Sequence, residues 1–180
     1  NVTIVSVGAG LSYGPLGYTH HALQDYSLMR SFPNMEIISP GDDNELSDGL
    51  NYSFKKPGPK YLRLEKDLKK SFSTILSQNY KFGELRPIKL KNNSKAIITT
   101  GPCIQKALLL SNQKKFNQYS IYSLPIWSMQ SKRKMKKKIK KFKQILTIEN
   151  HLEDGGFSSW LREVNGNDTN VKISSMSLDS

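Results

Sequence analysis

The chain has 180 residues, with 27 Lys or Arg against 15 Asp or Glu and a formal net charge of +12. A single cysteine excludes an internal disulfide and a cysteine metal cluster, and the longest apolar runs, such as Ala107 to Leu110, are far too short to span a bilayer. The length suits one domain and is short for two, and an opening Asn1 with no signal peptide leads us to expect a cytoplasmic chain with a processed or cut terminus.

Val2 to Val7 is a β-rich opening. It runs into a loop with Gly10, Gly14, Pro15 and Gly17 that ends in the adjacent pair His20 and His21, and a helix around Leu23 to Arg30 follows. Met35 to Ser39 reads as a short strand stopped by Pro40, and Asp42 and Asp43 supply the cap of a helix through Leu46, Leu50 and Tyr52. Pro57, Gly58 and Pro59 make a turn before a strand from Tyr61 to Glu65. Lys, Ser, Asn and Gln then dominate, so residues 67–93 read as a linker, with Phe72, Ile75, Leu76, Tyr80 and Phe82 placed to lie against a surface.

From Lys95 the alternation resumes. The stretches Ala96 to Gly101, Tyr119 to Pro125 and Ile145 to Phe157 are separated by helices, and Val171 to Ser175 is expected as the last strand. The pattern predicts an α/β fold: two three-layer α/β pieces with mostly parallel sheets, at residues 1–66 and 94–180, the second open to truncation. The first piece is awkward, because three strands cannot bury both faces of a parallel sheet. The chain is therefore expected to be a fragment or one part of a split protein, with the first piece the less stable half.

The charge is local. From Lys132 to Lys143 nine of twelve residues are Lys or Arg, which leaves three of the twelve net charges for the rest of the chain. Met135, Ile139 and Phe142 recur within it at spacings of four and three, one apolar helical stripe with lysines on the other faces. No aromatic residues are interleaved for base stacking, so a solvated helix is the favoured reading and nucleic acid is not an expected partner. Cys103 follows Gly101 and Pro102 at a helix start, where a thiolate could be stabilised. A small buried hydrophobe is its favoured role.

Three glycines and a proline that deliver paired histidines at a helix start are how a site is usually built. The segment Ala9 to Asp25 carries G-x-T-H-x-x-x-x-D over Gly17 to Asp25, then R-x-x-P-N-M over Arg30 to Met35, then a strand ending in Pro40-Gly41-Asp42. It resembles the pyrimidine-binding domain of transketolase-like, thiamine-diphosphate-dependent enzymes. A second stretch, with E-x-H-x-x-x-G-G over Glu149 to Gly156, resembles the transketolase C-terminal domain.

The resemblance implies an incomplete pyrimidine-binding domain followed by a transketolase C-terminal-like domain. It implies transfer of a two-carbon ketol or acyl unit, from a ketose or 2-oxo acid, through thiamine diphosphate with Mg²⁺ in the intact assembly. The chain alone would bind neither group fully and would not catalyse. The family glutamate that activates the aminopyrimidine has no match, since Glu36 and Glu45 stand elsewhere. Its partner would be a thiamine-diphosphate-binding subunit or domain, in a homodimer or heterotetramer, with no membrane partner and no metal ligand of its own.

By the same resemblance His20 is the catalytic histidine, near the reactive carbon of the cofactor, where an imidazole can donate or accept a hydrogen bond. Thr19 orients the turn, His21 lines the entrance, and Arg63 and Lys66 stand where a substrate phosphate is bound. Glu149 and His151 face a subunit interface. Leu16 and Gly8 replace an acidic residue and a histidine of the sugar-converting members, so the polyol hydrogen bonds are not carried over. A 1-deoxyxylulose-5-phosphate synthase-like chain, a 2-oxoacid dehydrogenase β-subunit-like chain and a non-catalytic assembly module are the alternatives.

Overall fold

In chain order the elements are β1 (Thr3–Val7), α1 (Asp25–Ser31), β2 (Glu36–Ile38), α2 (Asp43–Lys55), β3 (Lys60–Leu64), β4 (Arg86–Lys89), β5 (Lys95–Thr99), α3 (Ile104–Leu110), β6 (Ser120–Ser123), β7 (Ile126–Ser128), α4 (Lys132–Ile139), β8 (Gln144–Leu152), α5 (Phe157–Asn165) and β9 (Lys172–Leu178). They come from a computed structural model that describes residues 1–67 and 82–178. Phe72, Ile75, Leu76 and Tyr80 of the expected linker lie outside the described residues.

Two mostly parallel sheets form, as the alternation predicts. The first has the order β1-β3-β2-β7 and the second the order β4-β6-β5-β8-β9. β1 and β2 both run parallel to β3, and β5 runs parallel to β6 and β8. Helix α2 starts where expected because the Asp42 side chain accepts the Glu45 amide at 2.8 Å, an N-cap. The lysine run folds as α4 only as far as Ile139, with Met135 and Ile139 buried on it and Phe142 buried just past its end, while Lys132 pairs with Glu163, and Lys134 and Lys138 pair with Glu84.

Two strands were not legible. Residues 86–89, inside the expected linker, form β4, an edge strand antiparallel to β6. Arg86 and Ile88 alternate inward, and Pro87 is tolerated because an edge strand has a free side. Three residues after Pro125 form β7, which leaves the second piece and pairs antiparallel with β2 of the first, Ile37 opposite Trp127. Phe82, from the end of the linker, stacks on Tyr52 of α2 at 6.1 Å.

The consequence is a buried cluster shared between the two pieces. Tyr26, Met35, Ile37 and Tyr61 of the first piece share a cluster with Trp127, Phe157, Trp160 and the inner side chains of the second sheet. Trp127 is its centre, 5.3 Å from Tyr26, 5.5 Å from Phe157 and 5.1 Å from Trp160 between ring centroids. β1 is the thin end of this arrangement. Among the described residues it pairs on one side only, and Val2, Ile4, Val5 and Val7 are all exposed.

Candidate active site at the seam of the two sheets

The motif loop leaves the carboxyl end of β1, the edge where open α/β sheets gather functional groups. Gly8 and Ala9 both donate to the Leu64 carbonyl at the end of β3, at 2.9 and 3.0 Å. Ala22 and Gly10 then exchange backbone hydrogen bonds at 2.9 and 3.2 Å, which closes a neck around residues 11–21. Two short 3-10 turns, Gly14–Leu16 and Tyr18–His20, fill the loop, joined at Gly17, whose φ of 81° a side chain would resist.

Thr19 and His20 are exposed on this loop, with the Thr19 hydroxyl 3.0 Å from His20 Nδ1. His21 turns inward, Nε2 3.3 Å from the Gly14 carbonyl. Leu16 is exposed too. Gly8 explains its own departure from the sugar-converting pattern: a Cβ there would lie 2.6 Å from the Tyr13 ring, so that ring occupies the place of a side chain. Lys66 is exposed at the end of β3 and holds its ammonium 5.7 Å from the Tyr13 ring centroid, against the motif loop.

Arg63 is not with Lys66. Its side chain is fully buried and points into the seam between the sheets. Nε donates to Asp25 Oδ2 at 2.6 Å, Nη1 to Asn150 Oδ1 at 2.6 Å and Nη2 to the Ala22 carbonyl at 2.9 Å, and the guanidinium stacks 4.2 Å from the Tyr26 ring. Arg63 is held within β3, buried on both faces, whereas Lys66 lies in a bend two residues past its end. The donors that would meet a substrate phosphate are spent on the protein.

Glu149 and His151, expected at a subunit interface, are buried inside the chain at the same seam. Glu149 caps α5, accepting the Phe157 and Ser158 amides at 2.7 and 3.0 Å and the Ser158 hydroxyl. Burial raises its pKa, opposed by those hydrogen bonds. His151 stacks on Tyr26 at 5.2 Å and places Nδ1 2.6 Å from the Leu152 carbonyl, which assigns the proton to Nδ1. Its Nε2 faces Asp25 Oδ1 at 3.9 Å. Burial lowers its pKa, partly offset by the Leu152 hydrogen bond and by Asp25.

A second buried charge cluster ties α2 to β4. Arg86 Nη1 lies 3.3 Å from Glu45 Oε1 and 3.6 Å from Asp42 Oδ1, and Glu45 Oε2 accepts the Gly41 amide at 2.8 Å. Burial pushes the Glu45 carboxyl up to about 7. Cys103 is buried, and burial pushes its thiol up to about 12, as the unreactive reading requires.

Asp25 and Asn150 sit inside the two motifs, Asn150 at the strand end between Glu149 and His151, and the sequence gives neither a role of its own. The available signal was Arg63 itself: an arginine amid the apolar run of β3 must find a buried acid.

Residues 1–70 match the transketolase pyrimidine-binding domain. Over these residues the chain belongs to the transketolase pyrimidine-binding family. It is 27% identical over 168 residues to an apulose-4-phosphate transketolase subunit of Actinobacillus succinogenes, covering 91% of this chain and 53% of that protein. It is 29% identical over 189 residues to a 1-deoxy-D-xylulose-5-phosphate synthase of Halothermothrix orenii, covering 98% of this chain and 28% of that protein. The transketolase-like fold is shared with a split-gene transketolase solved as an inactive beta4 tetramer, at a TM-score of 0.79 and 20% identity, over 100% of this chain and 58% of that one. The chain thus spans about half the length of the Actinobacillus protein and corresponds to part of such an enzyme. Among the described residues of this transketolase-like chain no helix is long and apolar enough to cross a membrane.

Proposed function

We propose that this chain supplies the pyrimidine-binding and C-terminal portions of a split, thiamine-diphosphate-dependent transketolase that transfers a two-carbon ketol unit from a phosphorylated ketose. The observation that carries the reading is the neck-closed loop at the carboxyl end of β1, with Thr19 and His20 exposed and Lys66 against it. Thiamine diphosphate, when bound, supplies the carbanion chemistry of carbon-carbon cleavage. The fit of this chain to that group is partial. Among the described residues no three His, Cys, Asp or Glu side chains gather as a metal site; in this reading Mg²⁺ and the diphosphate are held by a diphosphate-binding domain or subunit, in a homodimeric or heterotetrameric assembly.

In this reading the His20 imidazole, held by Thr19, donates or accepts a hydrogen bond at the substrate oxygen where charge develops. Lys66 holds the substrate phosphate as a point charge, without the fork of an arginine. A second reading, a synthase that uses a 2-oxo acid, draws support from exposed Leu16 and side-chain-free Gly8, which offer no hydrogen bonds to a polyol.

The test is to mix the chain with its diphosphate-binding partner, thiamine diphosphate and Mg²⁺, and to assay ketose-phosphate and pyruvate donors. Turnover of the ketose phosphate supports the transketolase reading, turnover of pyruvate alone selects the synthase, and turnover of neither sinks both. A His20→Ala assembly as fast as wild type would remove His20 from its assigned role.

A further inference from the structure

We infer that Asn150, in the second sheet, is the positioning residue that fixes the motif loop of the first. It grips the loop at both ends of its neck. At the entry, Asn150 Nδ2 donates toward the Ala9 carbonyl at 3.5 Å, and the Asn150 carbonyl lies 2.6 Å from where a Cβ on Gly10 would stand. At the exit, Asn150 Oδ1 accepts Arg63 Nη1 at 2.6 Å, and the same guanidinium donates to Ala22 at 2.9 Å. Its carbonyl accepts a further bond from Arg63 Nη2 at 3.3 Å.

Gly10 (φ 60°) is needed for this approach, because any side chain would strike Asn150. Beyond the neck the loop has only its own hydrogen bonds among those described: Ser12 to Ala9, the two 3-10 turns, and His21 to Gly14. The orientation of Thr19 and His20 is therefore set at the neck, and the neck is set by Asn150 and Arg63. The second sheet touches the reaction without contributing a group to it: Asn150 sits at the carboxyl end of β8 and acts through Arg63 and two backbone carbonyls.

The positioning is tested on the chain itself, by limited chymotrypsin digestion under native conditions with cleavage after Tyr13 and Tyr18 followed by mass spectrometry. Asn150→Ala should raise that cleavage about tenfold, as expected when local opening of the neck governs access. Asn150→Asp, which keeps the acceptor for Arg63, should stay within about twofold of wild type. Asn165→Ala is the control, since Asn165 holds the Asp168 and Val171 carbonyls at 3.0 and 3.1 Å, away from the neck. Loop cleavage at the wild-type rate in Asn150→Ala, or an equal rise in Asn165→Ala, overturns the inference. If Asn150→Ala does not fold, Asn150→Ser stands in for it with the same outcomes.

A second arm rests on the proposed function. In the assembly Asn150→Ala should lower kcat about tenfold with the donor KM within about twofold, because a misplaced loop weakens the transition state more than binding. An unchanged kcat beside raised cleavage overturns the link to the reaction. If the wild-type assembly turns over no donor, the proposed function fails by itself and the digestion still decides the role of Asn150.

Discussion

Asp25 holds the Arg63 Nε at 2.6 Å where almost no water can share the charge, the arginine side chain being fully buried and the aspartate side chain 12% exposed. The Tyr61 hydroxyl donates to the same oxygen at 2.8 Å. Removing one member of such a pair leaves the other buried and uncompensated, at about 3–5 kcal/mol. Arg63→Met and Asp25→Asn should each lower the urea midpoint of the chain strongly, and the double variant should lose less than the sum. Additive losses in a double-mutant cycle would mean that the two groups do not act as a pair.

Glu45 makes stability depend on pH in the unusual direction. Its folded pKa, about 7, lies above the ordinary 4.5, so the folded state holds the proton more tightly. The contribution is complete below the ordinary value and is lost as pH rises from 4.5 toward 7. His151, whose folded pKa is lowered, works the other way and costs stability as pH falls below its ordinary 6.5. Glu45→Gln isolates the first effect: it should raise the melting temperature at pH 8, by about 1–2 kcal/mol in stability, and change little at pH 4. Melting curves across that range that run parallel for wild type and variant would contradict it.

The cap on α5 should be measurable by itself. Glu149→Ala removes the acceptor for the Phe157 and Ser158 amides, which should cost about 1–2 kcal/mol. Hydrogen exchange at those two amides should accelerate. Their continued protection in the variant would show that another group caps the helix.

Gly101 carries two demands at once. Its φ is 64°, and a Cβ would stand 2.4 Å from the Ser39 hydroxyl across the seam. Gly101→Ala should therefore destabilise by more than about 1 kcal/mol, where an alanine in a compatible backbone would stabilise. A calorimetric midpoint equal to wild type would show that the seam can open to admit a methyl group.

Lys66 offers a check on the proposed substrate. Lys66→Ala in the assembly should raise the KM of a phosphorylated donor about tenfold and leave that of an unphosphorylated donor near wild type. Equal effects on both donors would take the phosphate away from Lys66.

Elements with a strong local pattern were legible in the sequence. Helix α2 announces itself through Asp42, and α4 through Met135 and Ile139, while the expected stripe overran the helix at Phe142. The motif loop was legible because its glycines and histidines carry a family pattern. What could not be read depends on partners distant in sequence. β7 is only three residues long, and its strand conformation is imposed by β2, some ninety residues earlier. The burial of Arg63 follows from Asp25, Asn150 and Ala22, none of which a strand pattern reveals. The motifs brought Glu149 and His151 forward, while their setting inside the seam required the second sheet to dock on the first.

That docking has a bearing on how such chains can be exchanged. Because β7 is encoded after residue 93 yet completes the sheet of the first piece, a crossover between the two pieces would join a β2 from one parent to a β7 from another. A chimera made there must also match Trp127 to a foreign Tyr26 and Asn150 to a foreign Gly10. Gene swaps that respect the apparent boundary should fail more often than swaps that carry β7 with its sheet. Inheritance in this fold follows the sheet rather than the order of the chain.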